Sequence, residues 1–187
     1  ATMGVAKIIK EKAPDYWNEC MKIYSHKSLM EYLMADDYFF SASEHSAANL
    51  TFKPVSLLTA NPNNPKELAF FDLDNDPQKY SDSSVSGIIS LIESKQKIIR
   101  LYQSNKSPII LSASFLRSYD IFSESDHEIF KEKSETTKTN EAFINKLNHA
   151  LVERYEDFQV TRLPSDFLEE QIYNGEFYSA EDKQKIN

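Results

Sequence analysis

PVSLLTANPNNPKELAFFDL, residues 54–73, is the stretch on which the fold turns. Its front half continues LTFKPVSLL, residues 50–58, and reads as a strand that Pro54 bends or confines to an edge, because proline has no N–H for a ladder. NPNNPK, residues 61–66, has the composition of a turn, and LAFFDL, residues 68–73, is an apolar run of strand length. The two runs therefore predict an antiparallel hairpin. A hairpin alone is marginal in water, so more strands or a covering helix must bury its apolar faces.

The flanking sequence offers both. Downstream, Asp82 or a neighbouring serine can cap a helix with Val85, Ile88, Ile89 and Ile92 on one face. KIIRLYQ (97–103) and IILSA (109–113) have strand composition and are separated by SNKSP, which predicts a second hairpin. Upstream, Pro14 suits the first position of a helix whose Trp17, Cys20, Met21 and Tyr24 recur at helical spacing. Leu29, Met30 and Leu33 predict a further short helix, and the small polar residues from Ser41 to Asn49 predict a loop. After residue 124 the period is helical: Ser125 and Glu128 form a capping-box pair, SETTKT (134–139) reads as a polar linker, and Phe143, Leu147, Ala150, Leu151, Arg154 and Phe158 make one stripe. Two hairpins wrapped by helices specify an α+β fold with a small antiparallel sheet or barrel and flanking and inserted helices.

Bulk properties narrow the function. A chain of 187 residues is long enough for a sizeable core, and a net charge of −8 argues against sequence-blind adhesion to nucleic acid while leaving room for a local basic patch. The three glycines, Gly4, Gly87 and Gly175, lie too far apart for a phosphate-cradling loop. A single cysteine, Cys20, excludes an internal disulfide framework and suits a reducing cytoplasm. No apolar run reaches the length of a membrane span, so a soluble protein is expected.

Few residue constellations point to chemistry. FFDLDNDP (70–77) places three carboxylates after a strand, but as a calcium loop it has Pro77 where glycine is needed and Ser83 where a bidentate glutamate is needed. A metal-dependent phosphatase using Asp72 and Asp74 is a weaker reading, since no βαβ alternation surrounds them; an Asx-rich turn explains the cluster without chemistry. His26, His45, His127 and His149 lack metal-ligand spacing, Cys20 lies on an apolar stripe, and no G-x-S-x-G elbow occurs. Positive charge gathers beside aromatic residues once: Arg100, Lys106 and Arg117, with Lys95 and Lys97, near Tyr102, Phe115 and Tyr119. Such a group can grip a phosphate or a carboxylate, against the plainer reading of solvated surface cations.

The two ends read as parts of helices. Val5, Ile8, Ile9 and Lys12 are helically spaced from the first residues with no cap ahead, and Ser179 with Asp182 resembles a helix cap followed by too few residues for an isolated helix. Both features predict a piece excised from a longer protein, although trimmed termini produce the same pattern.

Four stretches, in order, resemble bacterial exodeoxyribonuclease I, a 3′-to-5′ nuclease of single-stranded DNA. They are ATMGVAKIIKEKAP at the start, the P-V…P-x-x-P…FFDL segment, RLYQSNKSPIIL…FLR from Arg100 to Arg117, and QIYNGEFYSAED from Gln171 to Asp182. The resemblance implies residues 1–27 as helices that follow a DEDD-type nuclease domain, 28–160 as an SH3-like domain and 161–187 as the start of a helical domain. It also implies that the carboxylates holding Mg2+ in the parent enzyme lie ahead of Ala1, so that this chain has no catalytic residue or cofactor of its own and is inert alone. The implied partners are single-stranded DNA and the acidic, phenylalanine-ending tail of the single-stranded-DNA-binding protein, in DNA repair in the bacterial cytoplasm, with a monomeric chain and no membrane. Arg117, in the context S-F-L-R, falls at a tail-binding arginine of the family, whereas Glu19 and Phe39 depart from it, standing where the family can have a tyrosine and a lysine. Lys106 and Arg100 match basic positions with no assigned role. The alternative is a stand-alone SH3-like adaptor module.

Overall fold

A computed structural model describes residues 2–43, 51–106 and 108–160, and contacts divide the chain into two units, Ala1–Val152 and Glu153–Asn187. The second unit is described only over residues 153–160, the last turns of a helix. Ser179, Asp182 and the Gln171–Asp182 stretch lie outside the described residues, as do residues 44–50. The fold is α+β: seven α-helices and five strands among the described residues.

The strands are β1 (Phe39–Ser43), β2 (Thr51–Asn61), β3 (Asn64–Asp72), β4 (Ile99–Gln103) and β5 (Ile110–Ser112). Their order is β4-β3-β2-β1-β5, antiparallel throughout. The hairpin at 54–73 is present as β2 and β3, with a tighter turn than expected: Asn61 faces Asn64, and Asn61 Oδ1 accepts from Asn63 N (2.9 Å), an Asx turn. Pro54 sits inside the central strand rather than at an edge. Its carbonyl accepts from Leu73 N (2.9 Å), so its nitrogen faces the end of β3, where a missing N–H costs little.

Two other expectations change. Residues Ser41–Ser43 belong to β1 and not to a loop, and Ser41 is fully buried. The second hairpin does not form: β4 pairs with β3, and β5 pairs with β1 across the row Ser112, Phe39, Val55, Asp72. The strands that SNKSP separates in sequence thus end on opposite edges. Local composition specifies a strand but not its partner, which the long-range burial of both sheet faces selects.

Adjacent residues of each strand go to different cores, because side chains alternate across a sheet. Phe39, Val55, Leu68, Phe70 and Ile110 pack with Leu29 and Leu33 of α3 (His26–Leu33). Phe40, Ala69, Phe71 and Leu111 pack on the other face with α4 (Val85–Glu93), α5 (Ala113–Arg117), α6 (Glu124–Thr139) and α7 (Glu141–Val160), through residues such as Ile88, Leu116, Phe130 and Leu147. The sheet is buried on both faces, which explains why LAFFDL lacks alternation. An extra residue, Leu58, bulges β2, and bulges bend a strand. The sheet curls until Ser41 Oγ of β1 meets Tyr102 OH of β4 (2.5 Å), yet β4 and β5 do not pair, so the sheet is open and no barrel closes.

Helix boundaries follow their caps. α1 (Thr2–Lys12) leads into α2 (Pro14–Cys20), which starts on Pro14 as expected but stops at Cys20, leaving Met21 and Tyr24 exposed instead of on a stripe. Ser25 and Ser28 form a reciprocal capping box that starts α3 and ends the preceding turn. α4 is capped by Ser84 Oγ, which accepts from Gly87 N (3.1 Å). α6 starts one turn-fraction earlier than predicted: the box is Ser123 with Asp126, not Ser125 with Glu128. Phe122, just ahead of the cap, reaches His127 (ring centroids 6.2 Å) like a hydrophobic staple and selects between the two serines. SETTKT is helical, inside α6, with Ser134 and Thr137 buried; Ser134 Oγ bonds Ser56 Oγ (2.7 Å) and Asp37 O (2.7 Å). Among the described residues no helix is long and apolar enough to cross a membrane.

Candidate functional site

The three basic residues singled out by the sequence are not brought together. Arg100 lies on β4, four places along the sheet from β5, which leads directly into the helix ending at Arg117. Lys106 is exposed on a 3-10 turn (Ser104–Lys106) in the connection between them. That turn is tied to α3 by His26 Nδ1 and Ser104 Oγ, 2.9 Å apart.

Arg100 is a structural residue. Its Nε and Nη2 both donate to Asp72 Oδ2 (3.1 and 2.8 Å), and the two side chains are 15% and 3% exposed. Burial alone pulls the guanidinium pKa down, but the hydrogen bonds and charge of Asp72 outweigh it and hold the pKa above its ordinary value. Two lysines close over the same end of β3: Lys53 pairs with Asp74, and Lys133 Nζ donates to Leu73 O (2.7 Å). Both carboxylates that a phosphatase would need are committed to cations, and among the described residues no group of three or more His, Cys, Asp or Glu side chains is placed to hold a metal.

Arg117 is presented differently. Ser112 ends β5 and caps α5, its Oγ accepting from Phe115 N (3.2 Å), and one short helix later Arg117 stands half exposed at the C-terminal end, where a cation is favoured. Its Nε is 3.0 Å from Glu124 Oε1 of α6. Its charge reaches Tyr38 and His127, members of an aromatic cluster with Phe40, Phe122 and Phe130. His127 is buried, with Nδ1 2.5 Å from Tyr38 OH and no partner for Nε2. Burial first and the charge of Arg117 second push the His127 pKa below its ordinary value, and burial pushes the Tyr38 phenol up to about 12.

The cap residue of α5 is held by Glu19, a buried carboxylate that the sequence marked only as a departure. Ser112 Oγ donates to Glu19 Oε1 (2.7 Å), Tyr32 OH donates to the same oxygen, and Lys22 Nζ is 2.5 Å from Oε2. Burial raises the Glu19 pKa, but the bonds from Lys22, Ser112 and Tyr32 together bring it below the ordinary carboxylate value. Nothing in the spacing of Glu19 and Ser112, 93 residues apart, foretells this contact.

No family model and no curated protein matches the chain. Solved structures do. An exonuclease I from Methylocaldum szegediense matches 98% of this chain and 39% of its own length, with 19% identity and a TM-score of 0.71. E. coli exonuclease I in a metal-free complex with single-stranded DNA matches 99% of this chain and 42% of its own length, with 20% identity and a TM-score of 0.74. The fold is that of a piece of exonuclease I. The chain spans about two-fifths of the length of the exonuclease I structures it matches, and the similarity is one of fold. A further match is a crystal structure of SSB/exonuclease I with an inhibitor, at 19% identity and a TM-score of 0.69. Against this exonuclease I fold, the accessible candidates are Arg117 and Lys106, and Arg100 belongs to the core of the sheet.

Proposed function

We propose that the chain is the non-catalytic, SH3-like part of an exodeoxyribonuclease I-type protein that helps to enclose single-stranded DNA and docks the acidic tail of the single-stranded-DNA-binding protein through Arg117. The observation that carries this reading is the match of nearly the whole chain to exonuclease I structures, including complexes with oligonucleotides and with SSB. Arg117 supports it chemically, being an accessible guanidinium at a helix end. Phosphodiester cleavage with Mg2+ belongs, in this reading, to a nuclease domain elsewhere in the protein. Lys106, exposed on its turn, is the candidate for a DNA phosphate.

The test is a fluorescence titration of an acidic peptide ending in phenylalanine against the chain and its Arg117→Ala variant. Loss of affinity in the variant supports the docking role, and equal affinity removes it. Chelator-sensitive digestion of a single-stranded oligonucleotide by the purified chain would refute the non-catalytic assignment.

A further inference from the structure

Arg117 already holds an anion. Its Nε faces Glu124 Oε1 at 3.0 Å, and no partner other than Glu124 is seen for the guanidinium among the described residues. The short turn between α5 and α6 places the last residue of one helix against the first of the next, with Asp120 in the left-handed region (φ 51) that aspartate tolerates better than most residues. Glu124 is not needed to start α6. Ser123 and Asp126 do that reciprocally, through Asp126 N to Ser123 Oγ (3.2 Å) and Ser123 N to Asp126 Oδ2 (2.9 Å). Glu124 is 72% exposed, so it can swing into water without disturbing the cap or the core.

We propose that Glu124 is a built-in competitor for the ligand of Arg117, so that docking is an exchange of one carboxylate for another on the same guanidinium. The inference rests on the reading of Arg117 as a docking residue and adds what limits its affinity and selects its ligand. An incoming anion must displace Glu124 or share the guanidinium by taking the Nη edge that Glu124 Oε1 leaves, and it meets repulsion from Glu124 and the exposed Asp120 nearby. A simple monovalent anion gains little from such an exchange, because the bond it makes resembles the one it breaks. A peptide that brings a bidentate carboxylate together with further contacts gains enough. The competitor therefore discriminates against isolated anions and against acidic surfaces that touch Arg117 alone.

The experiment uses the whole chain and a fluorescein-labelled acidic peptide ending in phenylalanine, at low and at physiological ionic strength. Glu124→Gln removes the competing charge and keeps the shape; Glu128→Gln, one turn further along α6, changes the net charge equally at a carboxylate that is not the ion-pair partner of Arg117. Glu124→Gln is expected to bind about three- to fivefold more tightly, the scale of an exposed ion pair, and Glu128→Gln by less than about 1.5-fold. The gain should shrink with salt and vanish in the Arg117→Ala/Glu124→Gln double variant. Equal gains from Glu124→Gln and Glu128→Gln would overturn competition in favour of general charge. Unchanged affinity in Glu124→Gln, with loss in Arg117→Ala, would overturn it while leaving the docking role intact. Wild-type affinity in Arg117→Ala would bring down both.

Discussion

Arg100 and Arg117 are the same residue type, each following a leucine or isoleucine and two residues from an aromatic one, and the fold uses them in opposite ways. Arg100 faces a 3%-exposed carboxylate and is itself 15% exposed; Arg117 faces a 72%-exposed carboxylate and is itself half exposed. The first pair is part of what holds β3 to β4 and the second is an adjustable surface contact. The difference shows that an arginine's role is set by how far its partner is taken out of water. Breaking a buried pair leaves an uncompensated charge, whereas an exposed pair can exchange partners at little cost.

That contrast can be broken in several ways. Arg100→Ala or Asp72→Ala should destabilise the chain by about 3–5 kcal/mol in urea unfolding, the cost of stranding one charge in the interior. The double change Arg100→Leu/Asp72→Leu should recover most of that loss, because the pair is worth little beyond its own desolvation. A small loss in either single variant would place Arg100 with Arg117 as a surface residue.

Ser112→Ala should cost about 1–2 kcal/mol, since it removes both the α5 cap and a donor to Glu19. It should also let the Glu19 pKa rise, measurable by carbon-detected NMR titration. Arg117→Ala should change stability by less than about 1 kcal/mol while the peptide affinity is lost. In the same variant the His127 pKa should rise toward its ordinary value, because burial alone then depresses it.

The smallest effect concerns pH. A histidine whose folded pKa is depressed stays neutral in the native chain while the unfolded chain takes up the proton, so stability should fall as pH drops below about 6.5. His127→Phe, which leaves no buried Nε2 to protonate, should flatten that slope between about pH 7.5 and about pH 5.5 in urea midpoints. An unchanged slope would show that His127 does not carry it.

Legibility followed the range of the interaction. The β2–β3 hairpin, α3 and α4 are legible in composition and period, since each needs only residues close in sequence. The C-terminal half of α6 is not legible, because Ser134 and Thr137 have linker composition and are buried only through bonds to Ser56, Ser134 O and Asp37 O. Of the candidate site, Arg117 is expected from resemblance alone, and Glu124 gives no signal because nothing local ties the first residue of α6 to the last residue of α5. Glu19 and His127 were invisible as site residues because their partners lie 93 and 89 residues away.

The amino-acid sequence by itself determined the α+β class, the paired Phe–Phe dipeptides that commit the sheet to two cores, and the starts of α2 and α4, because propensity, capping and period act within a few residues. The tertiary structure alone decided that β4 and β5 go to opposite edges, that Arg100 is sealed against Asp72, and that Arg117 is left facing water with Glu124. The physical reason is burial: which face of which strand loses water depends on chain segments far apart, and that loss fixes both the strand partners and the use of each charge.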